Sequence, residues 1–270
     1  MSFYRVITHD TAFHADDVMA VALLRHAGYQ FELIRTRDPK ILESALAENN
    51  SLVLDVGGVY DPSMLNFDHH QDRSLLSAAG LVYEHFKEEI CPVDAQIYFG
   101  RFIAAIDAMD TNRDNIFDLW ATLPRGFKNV SGILGGFNRE ITDPEMQYEQ
   151  FGKAVTFAQE MIVNELYSSS KKAKSEAAYQ HRTILPNNVA VFDEFSTVWK
   201  EKKEHVFAVL PHANGWQIQT VDTNIAVIPQ DIAGLETFVF RHISGFMAVI
   251  KDKETLINFA SNLDEIAGPK

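Results

Sequence analysis

Three short apolar runs constrain this chain more than any other feature. Tyr4 to Thr8, Phe31 to Thr36 and Ser51 to Val56 are each the length of a strand, and two helical patterns separate them. In the first gap, Ala15 to His26 places Val18, Ala22 and Leu23 at helical spacing, and Gly28 stands where a helix would stop. In the second, Asp38 is placed to cap a helix and Pro39 to occupy its first position. Gly57 and Gly58 close the third run. Strands alternating in this way with helices form a mainly parallel sheet flanked by helices on both faces. The chain is therefore expected to open with an α/β domain.

Beyond Asp72 the pattern turns helical, over Ser77 to Ile90, Asp94 to Met109 and Pro144 to Tyr167. Residues 168–179, SSSKKAKSEAAY, are polar and basic without a large aliphatic side chain, and 168–181 is read as a linker, extended or helical. Strand patterns then return at Val189 to Phe192, Val206 to Leu210, Trp216 to Val221 and Phe238 to Phe240, with Glu254 to Ile266 as a closing helix. The expected division is a larger domain over 1–167, the linker, and a second, smaller α/β domain over 182–270.

Composition narrows the partners. Hydrophobic residues at 46% and charged residues at 23% exclude a wholly disordered chain. A net charge of −13 argues against gripping long duplex DNA or an anionic membrane through bulk electrostatics. A short phosphate-bearing substrate at a local site remains compatible, because bound metal ions would outweigh nearby carboxylates. A single cysteine, Cys91, leaves no internal disulfide and suits a reducing compartment. The start MSFYRVITHD lacks the apolar core of a signal peptide, and no apolar run approaches the roughly 20 residues that span a bilayer. A cytoplasmic protein without membrane contact is the expectation; homo-oligomerisation stays open.

Histidines and aspartates gather where the strands end. His9-Asp10 follows the first run, His14-Ala15-Asp16 comes five residues past His9, Asp55 ends the third, and Asp68-His69-His70 follows Phe67. Asp107 and Asp110 come near the end of a predicted helix. Ligands of an open α/β sheet collect outside the carboxyl ends of its strands. Mixed imidazole and carboxylate donors suit manganese, zinc or iron, whereas magnesium and calcium prefer oxygen alone. Each piece has an ordinary explanation by itself: a loop histidine, an acid in a first helical turn, a turn-forming aspartate. The adjacent His69-His70 pair is harder to explain away, and all the ordinary explanations would have to hold together. Gly57-Gly58 serves either a tight turn or close approach to phosphate. Arg35 or Arg37 could reach a phosphate or pair with Asp38 or Glu32 at the surface. Trp199, Trp216 and Phe246 could stack on a base, with core packing the commoner use of such residues.

The order His9, His14-x-Asp16, Asp55, Asp68-His69-His70, Asp107 resembles the DHH phosphoesterase superfamily, which includes RecJ-type exonucleases, oligoribonucleases and family II inorganic pyrophosphatases. The segments THDTAFHADDVMAVALLR, RTRD at 35–38, LDVGGVYDP at 54–62 and FDHHQ followed by SAAGLVYEHF are similar to the melanocyte proliferating gene (Myg-type) family of metal-dependent exonucleases. RHISGF at 241–246 is similar to that family's His-x-Ser-Gly-Phe segment, so the resemblance spans about residues 4–260.

The resemblance implies a DHH-type domain facing a smaller domain across a cleft, and two divalent metal ions, manganese in first place. Asp55 would bridge them. His9, His14 and a later aspartate would complete one site; Asp16, His69 and the same aspartate would complete the other. Asp107 is the first choice for that aspartate and Asp110, directly before a threonine, the alternative. Asp68 would orient His69, and His70 would face the substrate phosphate. His242, Ser244 and Gly245 would grip substrate from the second domain, with Arg37 a further phosphate contact. Asp55, His69 and His70 would carry the chemistry, hydrolysis of a phosphodiester at an end of single-stranded RNA or a short oligonucleotide through metal activation of water. Two alternatives stand beside this expectation: a hydrolase of small phosphoanhydrides or cyclic dinucleotides, and a non-catalytic metal-dependent binding module.

Overall fold

The computed structural model describes residues 5–48, 50–139 and 141–264. Tyr4, at the start of the first expected strand, and Glu265 and Ile266, at the end of the expected closing helix, lie outside the described residues. The chain divides into two compact units, Met1–Ser170 and Lys171–Lys270, both of mixed α/β structure.

The first unit opens with β1 (Arg5–Thr8), α1 (Ala15–His26), β2 (Glu32–Arg35), α2 (Pro39–Leu46) and β3 (Ser51–Leu54). A short pair follows, β4 (Tyr60–Asp61) and β5 (Asn66–Phe67). The strand order is β2-β1-β3-β5-β4, with only β4 antiparallel to its neighbour. Val6 pairs in register with Leu33 and Leu52, and Leu54 with Phe67. Strand residues alternate between faces. Val6, Leu52 and Leu54 point into the larger core, while Ile7 and Val53 meet Ala45, Leu42 and Leu46 of α2.

The larger core is built from α1, α3 (Ala78–Ile90), α4 (Gln96–Thr111) and the start of α7 (Pro144–Gln180), with two short helices, α5 (Ile116–Ala121) and α6 (Val130–Gly135), between α4 and α7. In α1 ten of twelve residues are buried. The run VMAVALL has no polar face, so the helix must be covered on every side. That burial takes Asp16 and Asp17 of its first turn inside with it. Asp38 caps α2 as expected, accepting from Lys40 N at 2.8 Å.

Helix α7 runs 37 residues and contains the whole of 168–180, most of the segment expected to be a linker. From Lys171 on, it belongs to the second unit. There Tyr179 packs with Phe192 and Trp199, and Ser175 Oγ accepts from Thr197 N at 2.8 Å. The second unit continues with β6 (Thr183–Ile184), β7 (Ala190–Val191), α8 (Val198–Lys202), β8 (Phe207–His212), β9 (Gly215–Thr220), β10 (Phe238–Arg241), β11 (Met247–Ile250) and α9 (Lys253–Ser261). Its sheet runs β10-β11-β9-β8-β7-β6, antiparallel except for β7 beside β8. One face packs on Leu256 and Ala260 of α9, the other on Trp199 and Tyr179. Among the described residues no helix is long and apolar enough to cross a membrane.

Candidate metal centre

The carboxyl ends of β1 and β3, the first turn of α1, the loop after β5 and the last turn of α4 meet at one place. His9 directly follows β1. Its Nδ1 donates to the Asp10 carbonyl at 2.9 Å, which fixes the tautomer and turns Nε2 toward Asp55 Oδ2 at 3.3 Å and Asp17 Oδ2 at 3.4 Å. His14 is the extended residue before α1, and its backbone N–H donates to Asp17 Oδ1 at 2.9 Å. The His9 and His14 rings lie 5.8 Å apart. Asp55 ends β3 with a left-handed backbone, φ 55°. Aspartate tolerates that conformation better than most residues, and such strain concentrates at functional sites. Its Oδ1 lies 3.2 Å from His69 Nε2. The same imidazole nitrogen is 3.4 Å from Asp110 Oδ2 and 3.8 Å from Asp16 Oδ2.

Donor atoms therefore gather in three overlapping groups, each within 4.8 Å: His9, His14 and Asp55; Asp55, His69 and His70; His14, Asp16 and Asp110. Asp107 is not among them. Its Oδ1 accepts from Ser77 N at 2.5 Å and its Oδ2 from Arg113 Nε at 3.0 Å. Oδ1 thus ties α4 to the start of α3 and Oδ2 holds Arg113, whose Nη2 donates to Leu75 O at 2.8 Å, while Asp110, one turn further along α4, faces the cluster instead. Asp68 also differs from expectation. Its Oδ1 accepts from His70 N at 3.1 Å and His70 Nδ1 at 2.7 Å, so it orients His70 rather than His69. Its Oδ2 accepts from Gly58 N at 2.6 Å. Gly57 and Gly58 take φ of +99° and +70°, which brings that N–H round to the carboxylate.

Arg37 Nε is 3.5 Å from Asp10 Oδ1. With His9, His14, Asp55, Gly57 and His70 it lines a cavity of about 220 Å³ over the cluster. Arg35 donates to the Thr11 carbonyl at 3.0 Å with its guanidinium 4.5 Å from the Phe151 ring centre, and its charge also acts on Asp17. It pairs with neither Asp38 nor Glu32; it braces the loop between His9 and His14. Asn138 braces the same loop, accepting from Phe13 N at 3.0 Å and donating to Phe13 O at 2.8 Å. In the second unit, His242, Ser244 and Gly245 form the turn between β10 and β11. His242 Nδ1 bonds Ser244 Oγ at 2.8 Å. Gly245 has φ +72°, and a Cβ there would stand 2.8 Å from Arg241 Nη2. Trp199 is buried in that unit's core, and the Lys253 ammonium lies 4.5 Å from the Trp216 ring centre.

Asp17 and Asn138 are the two residues that sequence reasoning missed. For Asp17 the signal was present: a first-turn acid on a helix with no polar face has nowhere exposed to go. Asn138 carries no such signal, since its partner lies 125 residues away.

Electrostatics define what the cluster lacks. Burial, with the charges of Asp55 and Asp110, pushes Asp16 well above the usual carboxylate range. Burial also pushes Asp17 up to about 7 against the pull of His9. Burial would raise Asp55 too, but hydrogen bonds from His69 and His9 outweigh it and hold that carboxyl well below its ordinary value. For His9 and His69 burial favours the neutral ring, yet Asp55 and its neighbouring carboxylates lift both above the ordinary imidazole value. Both oxygens of Asp16 and Oδ2 of Asp17 are buried without a hydrogen-bond partner. Unpaired buried carboxylates are costly. Divalent cations would supply the missing positive charge, and the His and Asp donors suit them.

The profile of one family, described as "Uncharacterised protein family (UPF0160)" and labelled as MYG1 exonuclease, matches residues 5–226. A MYG1 protein of Schizosaccharomyces pombe is 27% identical over 306 residues, covering 90% of this chain and 92% of its own length. The MYG1 exonuclease of Homo sapiens is 25% identical, covering 95% of this chain and 84% of its own length. Among solved structures, the pGpG-specific phosphodiesterase PggH from a Vibrio is similar at 12% identity and TM-score 0.37, over 80% of this chain and 82% of that one. RecJ in complex with Mn2+ from Thermus thermophilus is similar at 11% identity and TM-score 0.28, over 97% and 53%. With most of its length matched by one family profile and with relatives spanning nearly all of it, this chain belongs to the MYG1 exonuclease family.

Proposed function

We propose that this chain is a metal-dependent phosphodiesterase that removes nucleotides from an end of short single-stranded nucleic acid, with RNA as first candidate. One observation carries the proposal. The Asp55 carboxylate faces two separate histidines, His9 through Oδ2 and His69 through Oδ1, while both oxygens of Asp16 lie unpartnered in the same buried space. His9, His14 and Asp55 would hold one divalent cation; Asp16, His69, Asp110 and the shared Asp55 would hold a second. Manganese suits this mixture of imidazole and carboxylate. When bound, such ions lower the pKa of coordinated water and neutralise charge on a phosphoryl group.

The chain's own residues do the rest. The Asp10 carbonyl keeps the His9 proton on Nδ1, so Nε2 points inward as a lone-pair donor. His70 is 64% exposed at its side chain, and Asp68 binds its Nδ1, which leaves Nε2 to meet a phosphate oxygen at the cavity mouth. Arg37 lines the same mouth and can make a charge-assisted bond to that phosphate. His242, Ser244 and Gly245 are assigned to substrate binding from the second unit. The relatives named MYG1 exonuclease support a nuclease activity. The charge of −13 supports short substrates, since tracking a long strand needs a continuous basic groove.

The test strips the protein with a chelator, reloads it with manganese, counts metal per chain and follows end-labelled RNA. Single-nucleotide shortening that needs metal, with two equivalents bound, is the expected result. Internal cleavage, or preference for pyrophosphate over every oligonucleotide, would overturn it.

A further inference from the structure

The cavity between α4, α5 and α6 has no role in the chemistry above. It measures about 400 Å³, within the range of small-molecule sites. Ile106 of α4, Ile116 and Trp120 of α5 and Ile133 of α6 give it apolar walls, and Lys128 and Asn129 stand at its polar side. Trp120 is only half-buried and belongs to none of the unit's core clusters. Its ring is held edge-on by Phe127, with ring centres 5.8 Å apart. An indole fixed in place yet left open along a cavity is poorly explained as packing.

The cavity lies beside one that contains residues of the candidate metal centre. A second cavity of about 490 Å³ contains His14, Asp16 and Asp110, and it shares Met109 and Ser131 with the first. Met109 directly precedes Asp110. A molecule with a phosphate at Asp16 and Asp110 would meet Trp120 across Met109 and Ser131, the residues common to both cavities. The polar groups fit such a molecule. Among the described residues Lys128 is in no ion pair. Asn129 uses its Oδ1 to accept from Gly132 N at 2.7 Å, which leaves the side-chain amide to donate.

We infer that this cavity is a nucleobase subsite: Trp120 stacks on the base of a nucleotide whose phosphate lies at the His and Asp cluster, Asn129 contacts the base edge, and Lys128 meets a neighbouring phosphate. The inference rests on the phosphodiesterase proposal and adds to it where specificity for nucleotides over other phosphodiesters is set. Phe117 and Leu119 are exposed on the same short helix but outside the cavity. The cavity's concavity and its place beside the cluster favour a small ligand over a protein partner.

The experiment compares an adenine dinucleotide with its analogue lacking one base, in wild type, Trp120→Ala and Trp120→Phe. Losing one stacked base should raise KM for the dinucleotide on the order of tenfold in Trp120→Ala and erase the preference over the abasic analogue. Trp120→Phe should restore most of that preference. Independently of turnover, AMP should quench the tryptophan fluorescence of wild type. Trp120→Phe should lose the quench, because the two indoles that remain, Trp199 and Trp216, do not line the cavity. If Trp120→Ala fails to fold, the AMP titration with Trp120→Phe still decides. No quench at saturating AMP, or a preference that survives Trp120→Ala, overturns the subsite. So does dissociation of a self-associated wild type by Trp120→Ala, seen by sedimentation, with the preference unchanged. If wild type cleaves no phosphodiester yet AMP still quenches through Trp120, the phosphodiesterase proposal falls and the subsite stands.

Discussion

Replacing Asp17 by asparagine should stabilise the metal-free protein progressively as pH rises from about 4 to about 7, and fully above that. Asp17 is fully buried; Oδ1 caps His14 N–H, and Oδ2 has no hydrogen-bond partner. Its carboxyl holds its proton up to about 7, against an ordinary value of 3.8. Between those two pH values the unfolded chain has released a proton that the folded chain keeps. Stability is therefore full below the lower value and is lost as pH rises through the upper one. About three pH units at roughly 1.4 kcal/mol each set an upper bound of about 4 kcal/mol. His9 and His69, both raised, lose stability in the same direction as pH rises. Asp55, lowered, contributes a constant amount across this window. Asparagine keeps the oxygen that caps His14 and never ionises. In chelator, the advantage of Asp17→Asn over wild type in thermal melts should be small near pH 4, on the order of 1–2 kcal/mol at pH 5, and full by pH 8. At pH 8 the variant should melt higher by up to roughly 8–16 °C, at about 2–4 °C per kcal/mol for a unit of this size. Manganese at a hundred times its Kd should return about 2.7 kcal/mol to wild type at pH 8. A metal-free wild type whose Tm is flat or rising from pH 5 to pH 8 would refute the reasoning.

Four further outcomes are expected. Asp55→Asn should abolish metal binding and activity, whereas His70→Ala should keep its metal and lose rate; elemental analysis beside a rate assay checks both. Asp110→Ala should lower metal content with little change in urea midpoint, while Asp107→Ala should lower the unfolding free energy read from urea titration by about 1–3 kcal/mol through two orphaned donors and keep its metal. Gly245→Ala should destabilise the second unit by about 1–3 kcal/mol, because its φ of +72° and the neighbouring Arg241 leave no room for a methyl; urea unfolding reads this directly. His242→Ala should raise KM for oligonucleotides several-fold at unchanged metal content, and an unchanged KM would remove the second unit from substrate binding.

The alternation from β1 to β3 was legible because periodicity reports burial directly. The gathering of histidines and aspartates was legible for a related reason: residues at strand ends of a parallel sheet are brought together by topology, whatever the loops do. What escaped depends on distant partners. Spacing alone could not separate Asp107 from Asp110, since both lie near the end of one helix. Ser77 and Arg113 decide between them by occupying Asp107. The polar stretch 168–180 reads as a linker by composition, yet Ala, Lys and Glu are good helix formers. Tyr179 and Ser175 supply the contacts that hold it as helix. The short helices α5 and α6 carry too few residues to show a period at all.

The left-handed backbone at Asp55 also bears on how such a site could change over evolutionary time. Metal preference usually shifts by exchanging one donor type for another, a carboxylate for an imidazole or a thiolate. At position 55 that exchange meets a conformational filter as well as a chemical one. Glutamate or cysteine would bring a donor atom but would have to adopt φ near 55° without the local hydrogen bonding that makes the region accessible to short polar side chains. Asparagine passes the filter and loses the charge. Under the proposed metal ligation, new metal preference should therefore arise at His14, Asp16 or Asp110, whose backbones are ordinary, and leave position 55 as it is.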